Sequence, residues 1–243
     1  MSQKNSTLLL CPMMTNLARA RATGPAVAHV RRAGGSSGRW TERQRRDPYA
    51  KAARANPQLK SRAAFKLLEI NARHKLLTSG GHVVDLGSYP GGWAYIAREA
   101  VGAGGAVVAV DLQDMAVPPC GVEFVCGDAT DPEVMSNVLQ RCGGRVDVVL
   151  SDMSPKTSGD AWLDHVRIME LCHAGRVFAC DSLRPGGSFL CKIFRGEDDR
   201  ELQQALLRDF STVKTVKPKA SRKKSPEAFM LATGFFGCRT AAQ

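Results

Sequence analysis

Long hydrophobic runs are missing from this 243-residue chain. No stretch approaches the roughly 18 apolar residues that cross a bilayer, and Leu8 to Leu10 is too short for a secretory core. A soluble compartment is therefore expected, with no membrane partner. Acidic residues are absent from Met1 to Thr41, whereas Lys4, Arg19, Arg21, Arg31, Arg32 and Arg39 are scattered there among Ser, Thr, Ala and Leu. The eight cysteines (11, 120, 126, 142, 172, 180, 191 and 238) contain no C-x-x-C pair and have no histidines at zinc spacing. They read as small buried hydrophobes in a reducing compartment, so neither a disulfide framework nor a metal site is expected. A G-x-G-x-x-G fingerprint is also lacking, which disfavours a pyrophosphate cradle and a nicotinamide-dependent oxidoreductase.

What is present is a formal charge of +11, unevenly spread. Residues 1–60 hold 12 Lys/Arg against 2 acids, while residues 61–243 hold 22 against 21. The N-terminal composition resembles a mitochondrial transit segment, and it would equally serve a basic arm that gathers RNA by phosphate attraction. The chain divides into a basic leader over 1–46 and one α/β domain over 47–243, a size that fits a single core.

Past the leader, Ala64, Phe65, Leu67, Leu68, Ile70 and Leu76 suit an amphipathic helix with Ser61 as its N-cap. Apolar runs then alternate with helical stretches. Strands are expected near 82–86, 106–110, 122–126, 146–150 and 188–194, with helices near 91–102, 132–142 and 161–182. Such alternation implies right-handed crossovers and a mostly parallel sheet covered on both faces. After a helix near 198–209, strands near 211–216 and 227–235 are joined by a ten-residue loop and can pair antiparallel.

The most informative stretch is Val83-Val84-Asp85-Leu86-Gly87-Ser88-Tyr89-Pro90-Gly91-Gly92-Trp93, an apolar strand that runs into a glycine turn. Gly87, Gly91 and Gly92 permit close ligand approach where strand becomes helix. In an open parallel sheet ligands lie beyond the carboxyl ends of the strands, and Asp85, Asp111, Asp128, Asp152 and Lys192 all fall there. Lys192, flanked by Leu190, Cys191, Ile193 and Phe194, needs a carboxylate nearby, and Asp152 on a neighbouring strand is the natural partner.

Asp85-x-Gly87-x-x-Pro90-Gly91-Gly92-Trp93 resembles the first motif of S-adenosylmethionine-dependent methyltransferases, in particular the FtsJ (RrmJ) family of RNA ribose 2'-O-methyltransferases. Four further stretches are similar to that family: Ser61 to Leu67, Leu150-Ser151-Asp152-Met153-Ser154-Pro155, Phe189-Leu190-Cys191-Lys192-Ile193-Phe194, and Ser221 to Phe229 with Glu227 before the last strand. The resemblance covers about Asp47 to Phe236. It implies a Rossmann-like methyltransferase fold, a mostly parallel seven-stranded sheet with an antiparallel last strand. It also implies a catalytic tetrad of Lys66, Asp152, Lys192 and Glu227. For the S-adenosylmethionine site it implies Gly87, Ser88, Pro90, Gly91, Gly92 and Trp93 around the turn, with Asp111 at the ribose, Asp128 at the adenine amino group, and Leu112 and Asp152 also in contact. Ser88-Tyr89 stand where the family usually has two alanines, and Lys156 replaces an asparagine, departures that raise the possibility of weakened catalysis.

The resemblance gives an enzyme that methylates a ribose 2'-hydroxyl. Lys192 either carries the proton in a partly dry site, or stays an ammonium that orients the hydroxyl and stabilises developing alkoxide charge. The basic run Lys214, Lys217, Lys219, Arg222, Lys223 and Lys224 is placed for phosphate contact. With the leader, these features suggest a monomer in the mitochondrial matrix that acts on ribosomal RNA of the assembling large subunit, with other assembly factors as further partners. A second reading is an assembly factor that keeps fold and RNA affinity but not turnover.

Overall fold

The computed structural model describes Arg45 and residues 47–238, Glu197 apart. The basic leader expected over 1–46 therefore lies, Arg45 excepted, outside the described residues. The elements run α1 (Pro48–Ala55), a short 3-10 turn (Pro57–Leu59), α2 (Ala63–His74), β1 (His82–Leu86), α3 (Gly92–Val101), β2 (Ala106–Asp111) and β3 (Glu123–Cys126). They continue with α4 (Pro132–Arg141), β4 (Val146–Ser151), α5 (Ala161–Ser182), β5 (Leu183–Phe194), α6 (Asp199–Leu207), β6 (Phe210–Val216) and β7 (Glu227–Phe235).

The strands form one seven-stranded sheet in the order β3-β2-β1-β4-β5-β7-β6. β1 pairs in parallel with β2 and β4, and β4 with β5, whereas β7 lies antiparallel between β5 and β6. The expected fold is the observed one. Strand order reverses between β1 and β4, where a crevice opens at the carboxyl ends.

Alternation along the strands assigns the two faces. Val84, Leu86, Val149, Cys191 and Ile193 face one core, shared with Ile168 and Phe178 of α5 and Leu202 of α6. Val83, Val148, Leu150, Leu190 and Phe229 face the other, covered by Leu67 and Ile70 of α2 and Trp93 of α3. Because side chains alternate with period two, Asp85, Lys192 and Glu227 project to this second side.

Helix starts follow local chemistry. Asp47 accepts from Tyr49 N and Ala50 N with Pro48 in the first turn of α1, and Asp131 and Asp160 cap α4 and α5 in the same way. Ser61 does not cap α2. A turn displaces it one residue upstream of the cap position, where its Oγ accepts from Ala63 N at 3.2 Å while Arg62 occupies that position.

The cysteine expectation is corrected. Cys180 and Cys238 form a disulfide with Cα atoms 5.4 Å apart, and Cys120 and Cys126 are exposed; only Cys142, Cys172 and Cys191 are buried and free among the described residues. β7 runs back toward the amino ends of the parallel strands, where α5 terminates, so tertiary topology joins residues 58 apart. Beside them, Arg176 holds the fully buried Asp209 at 2.6 Å. Removing one member of such a pair costs about 3–5 kcal/mol, because the other charge stays behind in the core.

Candidate active site

Two ion pairs occupy the carboxyl ends of β4, β5 and the start of β7. Lys192 Nζ lies 3.1 Å from Asp152 Oδ1 and donates to the Asp152 carbonyl at 2.6 Å. Only 7 % of the lysine is exposed, which meets the requirement for a nearby carboxylate. Lys66 Nζ donates to Glu227 Oε2 at 2.7 Å, and Ser221 Oγ donates to the other oxygen at the same distance. Burial raises the Glu227 carboxyl, but Lys66, Ser221 and Lys192 together outweigh it and hold the group below its ordinary value.

Phe229 joins the pairs. It is the registered neighbour of Lys192 across β5 and β7, and Lys66 Nζ stands 5.6 Å from its ring centroid. Glu227 pairs with Phe194 two residues along the ladder. The four members of the expected tetrad therefore gather on one face at one end of the sheet.

Residues that the sequence did not single out seat this arrangement. Arg62 donates to Asp47 Oδ2 and to the Ala220 carbonyl, while Glu69 accepts from Lys219 N at 2.6 Å and from Ala220 N at 3.0 Å. Together they fasten the loop before β7 onto α2, so that Ser221 and Glu227 reach Lys66. Glu69 lies three residues past Lys66, one helical turn along, the one signal available for it. Within the basic run, Lys217 Nζ is engaged with the Ser225 carbonyl at 2.6 Å.

Beside the pairs lies an open cleft of about 260 Å³ lined by Gly87, Tyr89, Asp111, Leu112, Asp128 and Asp152, among others. Asp111 accepts from Tyr89 N and Gln113 N, both at 2.8 Å, one on each oxygen, which fixes the carboxylate while lone pairs remain for a diol. Asp128 Oδ1 accepts from Thr130 N and its hydroxyl. Leu112 is 70 % exposed at the rim, and Tyr89, 50 % exposed, lines the cleft without closing it.

The other expected cofactor residues serve the turn rather than the cleft wall. Gly91 has φ +100 and caps α3, and a Cβ on Gly92 would lie 2.7 Å from the Leu59 carbonyl. Pro90 is half-buried. Trp93 is a core residue: it is 2 % exposed, its Nε1 donates to Ala63 O at 2.8 Å, and its ring packs on Phe229. Ser88 is buried with its hydroxyl beside the Asp85 carboxyl.

Beneath the turn, Asp85 is fully buried with neither carboxylate oxygen in a hydrogen bond of ordinary geometry. Burial pushes its carboxyl up to about 7, the adjacent Ser88 hydroxyl opposes the rise, and the charges of Asp152 and Asp111 add to it.

The model of the FtsJ-like methyltransferases matches residues 59–235. The chain belongs to that family. It is 47% identical over 208 residues to ribosomal RNA large subunit methyltransferase E of Rhodopseudomonas palustris, covering 84% of this chain and 88% of the relative. It is 48% identical over 205 residues to the protein of the same name from Bradyrhizobium diazoefficiens, with 83% and 89% covered. Among solved structures, a ribosomal RNA methyltransferase from Plasmodium falciparum superposes with a TM-score of 0.66 at 25% identity, over 73% of this chain and 98% of that one.

The cofactor of this FtsJ-like chain is S-adenosylmethionine, and the cleft fits it. A Cβ on Gly87, whose φ is +73, would lie 2.7–2.8 Å from Met153, so the turn hugs the loop that follows Asp152. Asp111, Leu112 and Asp128 line the cleft that would hold the cofactor.

Proposed function

We propose that the protein methylates a ribose 2'-hydroxyl of large-subunit ribosomal RNA, and that its target is a uridine in the A-loop of mitochondrial large-subunit RNA during ribosome assembly. The observation that carries the chemistry is the Asp152–Lys192 pair at the mouth of the cofactor cleft. The printed names of the bacterial relatives support the ribosomal target class, and the acid-free basic leader is the support for mitochondria.

S-adenosylmethionine supplies a methyl group already activated on a sulfonium. The protein must therefore align a weak nucleophile and manage one proton. Lys192 directs one ammonium hydrogen at the Asp152 carbonyl, and the Asp152 carboxylate balances its charge. The remaining hydrogens are available to orient the ribose hydroxyl and to stabilise charge as it develops on oxygen. Lys66, fixed by Glu227, stands ready to grip the hydroxyl or an adjacent phosphate. A nucleotide must leave its stack to enter such a recess.

Lys192→Ala is expected to abolish methyl transfer and leave calorimetric binding of S-adenosylmethionine nearly intact; full activity in the variant would refute the assignment. Ribose-methylation mapping of mitochondrial ribosomal RNA after removal of the protein tests the target. An unchanged map would redirect the reading to an assembly factor without turnover, a role that the intact tetrad argues against.

A further inference from the structure

The first turn of α5 presents Trp162, 73 % exposed, and nothing in the chemistry above employs it. The helix begins where the loop 153–160 returns from the carboxyl end of β4, the edge onto which Asp152 and Lys192 open. Asp160 accepts from Trp162 N at 2.9 Å and from Leu163 N at 3.2 Å, so the backbone under the ring is fixed while the ring meets solvent.

One turn along, His165 clamps the segment that follows Lys192. Its Nδ1 lies 2.9 Å from the Phe194 carbonyl and its Nε2 3.2 Å from Asp198 Oδ2; a Cβ on Gly196 would come within 2.4–2.8 Å of the imidazole. The segment held in this way carries Arg195, whose side chain is 62 % exposed and whose Nε lies 3.6 Å from Asp199 Oδ2. Lys156 is exposed on the loop between Asp152 and α5.

The acids described at this rim are engaged. Asp160 caps the helix, Asp164 accepts from Ser158 N and its hydroxyl, Asp198 meets His165, and Asp199 accepts from Gly196 N. Lys156 and the outward side of the Arg195 guanidinium, whose Nε is paired with Asp199, meet water on the segments beside the exposed indole. A flat π-face flanked by positive charge suits an unpaired nucleobase and its phosphates, whereas an apolar protein partner would have to bury Arg195 and Lys156.

We propose that Trp162, with Arg195 and Lys156 beside it, is a stacking platform for an unpaired base of the RNA strand that flanks the nucleotide delivered to Lys192. The inference rests on the RNA reading above and adds a determinant of how the strand is held.

The test uses the full chain and a short, fluorescently labelled single-stranded RNA of mixed sequence. Affinity is read by anisotropy, with S-adenosylmethionine binding measured in parallel by calorimetry. Trp162→Ala is expected to weaken RNA binding about tenfold or more and leave cofactor affinity unchanged. Trp162→Phe restores most of the affinity, since a ring still stacks. Arg195→Ala flattens the salt dependence. Trp162 is exposed and Trp93 buried, so RNA should quench a component of the intrinsic fluorescence that Trp162→Phe removes. RNA binding by Trp162→Ala equal to that of the parent would overturn the platform alone and assign the ring to a protein partner. Cofactor binding with no RNA affinity in the parent would overturn the RNA reading and the platform with it.

Discussion

Asp85→Asn exposes the cost of the charge beneath the glycine turn. The carboxyl titrates near 7 in the folded chain and at about 3.9 when unfolded. Between those values the native state retains a proton that the unfolded chain has released. The unfolded state then binds fewer protons, and stability must fall as pH rises, by about 1.4 kcal/mol per pH unit. Over roughly three units the loss reaches about 4 kcal/mol, complete once pH exceeds the folded value. Asparagine has nearly the same shape and cannot ionise, so the variant lacks this slope. Its advantage over the parent should grow from near zero at about pH 4, through about 1.5 kcal/mol at about pH 5, to about 4 kcal/mol at about pH 8. Urea unfolding of both proteins across that range, without added cofactor, measures the difference directly. A gap that stays constant with pH would show that Asp85 does not titrate in this window, and the burial argument would fall. Ser88→Ala removes the neighbouring donor and should move the window upward.

Two further substitutions probe other parts of the frame. Gly87→Ala forces a side chain into φ +73 and against Met153; the backbone cost of about 1–2 kcal/mol and the crowding cost of about 1–3 kcal/mol should lower the melting temperature and weaken cofactor binding in calorimetry, and wild-type behaviour in both would contradict the close approach. Cys180→Ser opens a loop of 58 residues, for which chain entropy gives a ceiling of about 4 kcal/mol. Its unfolding midpoint should match that of the parent under reductant, and a parent indifferent to reductant would refute the bond.

The strands of the parallel half were legible because each apolar run stops at a polar residue that marks the sheet's edge, as Val107 to Val110 does at Asp111. The five residues Leu183 to Gly187 were not, since Arg184-Pro185-Gly186-Gly187 reads as a turn; yet Leu183 pairs with Val146 across a register shift, and β5 begins there. α1 escaped notice because only Ala50 and Ala53 are buried along it. In the site, the partner of Lys192 followed from the expense of a lysine among aliphatics, whereas the Lys66–Glu227 pair came from resemblance alone. Arg62, Glu69 and Ser221 act through contacts made only once the chain has closed on itself, and the helical spacing of Glu69 from Lys66 is the one local pattern among them. Trp93 shows the converse: its place beside the glycine turn suggested a ligand contact, but the helical period turns its indole toward Phe229.

The position of β7 gives the chain an order of completion. Glu227 opens the last strand among the described residues, and that strand is threaded between two that precede it in the chain, with the disulfide at Cys238 sealing its far end. A nascent polypeptide still tethered at its C-terminus, or one cut short before residue 227, lacks the acid that holds Lys66 and leaves the inner edge of β5 bare. Chains cut short before residue 227 should therefore be silent rather than partly active.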